Sequence, residues 1–167
     1  ADALCGLAEC KDAEGKQDEA TALLDRALTL QPLHPQALVL RARIDLVEGR
    51  PDLAIVRLKL AIQRDPLNQV AYYRLALARA RLGDNKGSEE AHLAHKRIGQ
   101  VLEKLQDLRV AVLESPKDVS ILEEIVRLFQ EHGHDEDAGR WARNLLELDP
   151  QNRLAQDVSS RSSTTSR

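Results

Sequence analysis

Cys5, Cys10, five histidines and the acids beside them are the side chains here whose types could hold a metal or attack a substrate. Cys5 and Cys10 share one predicted helix, on which their separation turns them about 140° apart. That geometry suits neither a disulfide nor the paired ligands of a zinc site, and both are read as small packing residues. His92 and His95 share a helix face with Glu89. Such triplets are common on solvated helices, and nothing pins an outer partner that would orient them, so no metal is expected. The same holds for His132 and His134 in a turn beside Asp135, Glu136 and Asp137. Catalysis would need a nucleophile with a base and an orienting group, or paired carboxylates in a cleft. Asp and Glu are instead scattered through helices as on solvated faces, and no Gly-rich phosphate loop is present. The chain is therefore read as non-catalytic, with no cofactor.

Composition narrows the partners. With 2% aromatic residues and a net charge of −3, there is no stacking platform for bases and no general phosphate-binding surface, so nucleic acid is not expected. No stretch approaches the ~18 apolar residues of a membrane span, and no cationic-then-apolar leader opens the chain. The chain enters at Ala1 already in repeat phase and contains no methionine, as a fragment or processed product would. Its compartment, cytoplasmic or periplasmic, is left open. The bias to alanine, leucine and arginine suits a GC-rich bacterial source.

The elements that would carry any site repeat. Prolines follow helix-like stretches at Pro32 and Pro66, 34 residues apart, and again at Pro150, in the phrases ALTLQP, AIQRDP and LLELDP. A glycine stands half-way through each unit, at Gly15, Gly49, Gly83 and Gly133. Ala20, Leu24 and Ala27 in the first unit are answered by Ala54, Leu58 and Ala61 in the second, small residues that let two helices approach around a leucine. Each glycine suits a left-handed helix end and each proline blocks continuation of a helix. Between Pro35 and Gly49 the apolar positions are too broad for strand alternation and suit a helix packed on two sides. The spacing predicts first helices near 2–14, 36–48, 70–82 and 119–132, and second helices near 18–30, 52–64 and 135–148. In the third unit Gly83 and Pro116 are 33 residues apart, where 17 separate Gly15 from Pro32. One long helix near 88–114 is the economical reading; a break at Gly99 is the alternative.

These residues resemble the tetratricopeptide repeat, over roughly residues 1 to 152. Its bulky, large apolar and small positions are filled by Leu4, Leu7 and Ala8, by Tyr72, Leu75 and Ala76, and by Leu122, Ile125 and Val126. The second unit departs from it, with Arg41 after Leu38 where a large apolar residue belongs. The later aromatic survives only as Phe129, with Lys11, Asp45 and Arg79 in its other places. Those departures are expected to weaken packing within a repeat. The resemblance implies an all-α, right-handed superhelical solenoid of antiparallel helix pairs: units 1–34, 35–68, 69–118 with the insertion, and 119–152. A short helical cap at 153–158 and a disordered Ser/Thr/Arg tail at 159–167 are expected to follow. Trp141 is expected to pack against that helical end, with a partner anchor as the alternative.

The resemblance also implies a concave groove lined by first helices, which takes a peptide or a helix. Its lining would comprise Glu9, Leu40, Arg43 and Val47, then Tyr73, Arg74, Leu77 and Arg81, and finally Arg127, with Cys5 and Glu124 nearby. Arg43, Arg74 and Arg81 could pair with carboxylates of an acidic ligand, and Leu40, Tyr73 and Leu77 could seat side chains. The alternative is that the arginines are solvated or paired internally, for instance with Asp45 or Glu48. The repeat type that captures chaperone C-termini is not matched: of the five places it uses, Cys5, Glu9, Leu40, Val70 and Arg74, only the arginine fits. The expected function is a protein-interaction module for an acidic protein or peptide. A self-associating scaffold or an accessory region of a larger enzyme are the alternatives.

Overall fold

The computed structural model describes residues 1–162, and every regular element among them is an α-helix. In chain order these are α1 (Asp2–Ala13), α2 (Gln17–Leu30), α3 (Pro35–Val47), α4 (Pro51–Arg64), α5 (Gln69–Arg81), α6 (Asn85–Glu114), α7 (Val119–Glu131), α8 (Asp135–Leu148) and α9 (Arg153–Ser162). The expected helices are present within about one residue at most ends, as caps define them.

Helix starts follow a rule carried by mixed residue types. Two residues after each of Pro32, Pro66, Pro116 and Pro150 stand His34, Asn68, Asp118 and Asn152. Each accepts a backbone N–H of the next helix: Ala37 on His34 Nδ1 (3.2 Å), Ala71 on Asn68 Oδ1 (3.0 Å), Ser120 on Asp118 Oδ1 (2.9 Å) and Ala155 on Asn152 Oδ1 (3.2 Å). A helix start leaves such donors without intrahelical partners, and a short polar side chain satisfies one of them. At the other end, Gly15, Gly49, Gly83 and Gly133 have φ of 76°, 74°, 76° and 69°, the left-handed region in which a Cβ is strained.

The chain forms two compact units, Ala1–Ile98 and Gly99–Arg167. In the first, α1 packs on α2, α3 on α4, and the first helices α1, α3 and α5 lie against one another in turn. Ala20, Leu24 and Ala27, like Ala54, Leu58 and Ala61, are buried where the pairs meet. α3 is enclosed on both sides, with Ala37, Leu38, Val39, Ala42, Ile44 and Leu46 in the core. Leu7, expected at a packing position, is 47% exposed, because no helix of this unit lies on that side of α1. In the second unit, Leu122, Ile125 and Val126 of α7, Ala138, Ala142 and Leu145 of α8, and Ala155 and Val158 of α9 are buried, and Trp141 is half-buried against their core.

α6 is one helix of 30 residues, unbroken at Gly99. It starts at Asn85, before the expected 88, because Asp84 accepts the Gly87 N–H at 2.9 Å and its carbonyl takes the Ser88 N–H. α9 continues to Ser162, so 159–162, expected in the disordered tail, are helical. Burial of Ala155 and Val158 against α8 anchors that helix and carries its last turn. The rest of the expected tail, 163–167, lies outside the described residues.

Candidate functional site

The first helices of Ala1–Ile98 carry eight of the expected groove residues, of which Glu9, Leu40, Arg43 and Arg74 come close to one another. On α3, Leu40 and Arg43 are half-buried and Val47 is 65% exposed. On α5, Val70, Tyr73 and Leu77 are exposed and Arg74 is half-buried. Glu9 on α1 is exposed and its carboxylate accepts from Gln36 Nε2 at 3.4 Å. Cys5 does not join these residues, being fully buried against α3. Arg127 lies on α7, in the other unit, and pairs with Glu123 at 3.1 Å.

The three arginines of this set each reach back one repeat. Arg43 forms an ion pair with Asp12 on α1. Arg74 Nη1 donates to the Val39 carbonyl at 3.0 Å, and Arg81 Nη1 donates to the Leu46 carbonyl, each 35 residues earlier. Burial, and after it the charge of Arg43, lower the pKa of the Arg74 guanidinium; Asp12 and Glu9 act in the opposite direction. Each of Arg74 and Arg81 spends one donor on a carbonyl, and a guanidinium has five. Tyr73 stands beside His95 and His92, with ring centroids 5.6 and 6.3 Å away.

The internal partners named for these arginines, Asp45 and Glu48, belong to others. Asp45, wholly buried on α3, accepts Arg41 Nη1 at 2.9 Å, lies 3.2 Å from Arg50, and also holds Arg57 from α4. Arg41 reaches Asp25 of α2 as well, at 3.1 Å. Arg41 and Asp45, the two departures from the repeat pattern, are thus halves of one buried ionic cluster that joins α2, α3 and α4. The expected loss of packing is replaced by charge pairing, a solution that reading the two positions separately misses. The related position Arg79 is likewise engaged, donating to the Gly87 carbonyl at 2.7 Å and pairing with Glu90 at 3.7 Å.

One constellation with the residue types of a hydrolase was not anticipated. Cys5 Sγ lies 3.8 Å from His34 Nδ1, and His34 Nε2 is 2.8 Å from Asp2 Oδ1. Its geometry is structural. Nδ1 already accepts the Ala37 N–H, and Cys5 is fully buried. Burial, then the Asp2 charge, push the thiol pKa up, which favours the neutral thiol over the thiolate nucleophile. Asp2 is held below the usual carboxylate range by its bond to His34. Cys10, expected to be a packing residue, is exposed: it falls on the same uncovered side of α1 as Leu7.

Of the remaining histidines, His95 exchanges contacts with Gln69, its Nδ1 3.1 Å from the Gln69 carbonyl. His132 Nδ1 is 2.8 Å from the Leu128 carbonyl, and His134 Nδ1 is 2.9 Å from Asp137. In the second unit α7 and Lys104 of α6 frame an open cleft of about 400 Å³, lined on the α7 side by Ser120, Glu123, Glu124, Arg127, Leu128 and Glu131. There Lys104 meets Glu124 at 2.6 Å, which raises the lysine pKa. Among the described residues no helix is long and apolar enough to cross a membrane.

No family model matches the sequence, and no curated protein matches it. Solved structures do resemble it. The crystal structure of MamA is 18% identical over 89% of this chain and 77% of its own, with a TM-score of 0.52. A thermophilic TPR protein of Thermus thermophilus is 21% identical over 98% of this chain and 97% of its own, also at 0.52. At such identities the likeness speaks for architecture, and the chain has the all-helical solenoid fold of tetratricopeptide-repeat proteins.

Proposed function

We propose that the face built from α1, α3 and α5 binds an acidic peptide or helix of another protein, by complementarity of shape and charge and without chemistry. The observation that carries this reading is geometric: Arg74 and Arg81 are each held by one bond to a carbonyl 35 residues back, and Arg43 adds a like charge that, after burial, lowers the Arg74 pKa. An incoming carboxylate relieves that repulsion and takes guanidinium donors left over from the bonds to Val39 and Leu46. Leu40, Val47, Tyr73 and Leu77 give apolar surface between them, so ligand side chains flanking the acid have a place to settle. Glu9 and Asp12 set a limit on this attraction, since both are acidic and line the same side.

The test is a titration of a labelled glutamate-rich peptide, followed by fluorescence anisotropy, against the unaltered chain and against Arg81→Gln and Leu77→Ser. Arg81 and Leu77 are exposed, so both variants should keep their helicity. Loss of one charge-assisted bond, about 1.5 kcal/mol, corresponds to about tenfold weaker binding. Equal affinity for all three proteins would remove the face from consideration.

A further inference from the structure

α5 and α7 are both 13 residues long and start 50 residues apart, so their outward rows can be compared position by position. Val70, Arg74, Leu77 and Arg81 on α5 correspond to Ser120, Glu124, Arg127 and Glu131 on α7. Where one helix carries two arginines seven residues apart, the other carries two glutamates with the same spacing. The glutamates line the open cleft of the second unit, and the arginines stand on the face of the first. The difference extends to whole units: residues 1–98 hold 15 basic and 14 acidic side chains, residues 99–167 hold 9 and 13.

We propose that the acidic ligand of the α5 face is the α7 face of a second copy of this chain, so that the protein self-associates through Arg74 and Arg81 of one copy and Glu124 and Glu131 of the next. This rests on the reading of the α5 face as the binding surface and names its occupant. A seven-residue spacing is two helical turns, so both acids fall on one side of α7 and meet both arginines together. Leu77, between the arginines, then faces Arg127, whose aliphatic stem covers it while its guanidinium stays with Glu123. Glu124 enters already holding Lys104, whereas Glu131 has no ion pair among the described residues. The association is therefore carried mainly by Glu131 and is weak and salt-dependent. Each copy carries both patches, so mass grows with concentration, stopping at a dimer where the two contacts are made reciprocally and continuing where they are not.

Sedimentation velocity over a range of concentrations, at low and high ionic strength, tests this on the full chain. The unaltered protein should grow in mass with concentration and lose that growth in salt. Arg81→Glu alone and Glu131→Lys alone should each weaken association by about tenfold or more, and their mixture should restore it in part, since the swapped charges then meet across copies. Arg81→Gln and Glu131→Gln, which keep size and remove only charge, should weaken it as well and guard against misfolded reversals. A monomer at every concentration, or Glu131→Lys associating like the unaltered chain, overturns the proposal. The glutamate-rich peptide separates the two readings: if it binds the unaltered chain through Arg81 while that chain stays monomeric at every concentration, the face binds acids and the occupant is wrong; if neither occurs, both readings fall.

Discussion

Asp45 is the residue on which three arginines of the first unit converge, Arg41, Arg50 and Arg57 all pointing at one fully buried carboxylate. Asp45→Ala removes the acceptor and leaves Arg41, itself buried, with only Asp25 and a distant Glu48. Breaking one side of such a pair costs about 3–5 kcal/mol. Replacing both halves by apolar residues, Arg41→Leu with Asp45→Leu, should cost far less than Asp45→Ala or even stabilise, because the desolvation of both charges is no longer incurred. Urea denaturation of the two variants decides this, and a double variant as unstable as the single would show that the network does more than fill space. The thiols give a second residue-scale prediction. Cys10 is exposed and Cys5 buried, so in the native protein a thiol reagent should modify one cysteine quickly and the second only on unfolding. The raised pKa of Cys5 fixes the sign with pH. Its contribution is complete below the unfolded thiol value of about 8.5 and is lost as pH rises through the folded one, so alkaline unfolding should be eased and Cys5→Ala should lack that component.

The helices owe their boundaries to the paired signals of a polar cap after each proline and a glycine past each first helix. Asn68→Ala removes the side-chain acceptor of the Ala71 N–H, which then keeps only the carbonyl of residue 68, and should cost about 1 kcal/mol, while Asn68→Ser, which keeps a cap oxygen and can still donate toward Asp65, should cost much less; equal losses in thermal unfolding would show that the cap is not the operative contact. Gly49→Ala should cost about 1 kcal/mol in the same assay, since φ is 74° there. Helix existence was legible because these signals are local and recur at 34 residues. The caps His34 and Asn68 sit at that spacing too and were readable in principle, but histidine, asparagine and aspartate at one place look like variation until the bond they share is seen. The groove was legible as a row of positions on first helices. What could not be read was each arginine's partner: Arg74 and Arg81 bond backbone carbonyls 35 residues back, and every residue offers a carbonyl, so side-chain identity carries no trace of the choice. The ionic cluster failed for another reason. Arg41 and Asp45 each violate an apolar pattern singly, and only together, one helical turn apart, do they make a pair that a buried site accepts.

At the scale of the molecule, an array in which each repeat touches only its neighbours has stability that is a sum of local parts, and its transitions need not coincide. This chain carries built-in reporters for the two units. Trp141 is the single tryptophan and packs against the core of α7, α8 and α9, while Asp45 and all of its partners lie in Ala1–Ile98. Fluorescence of Trp141 therefore follows the second unit alone, whereas circular dichroism follows helix in both. The expected result for Asp45→Ala is a urea transition by circular dichroism that shifts to lower denaturant and broadens, with a Trp141 midpoint that moves by less than roughly half as much, because destabilisation of one repeat reaches another only through shared contacts. The converse variant, Leu145→Ala in the α8 core, where Leu145 is fully buried, should shift the Trp141 transition by the larger amount, its cost being about 2–5 kcal/mol. Coincident shifts in both probes for both variants would mean that the chain unfolds as one cooperative body and that its two units are compact without being energetically separable.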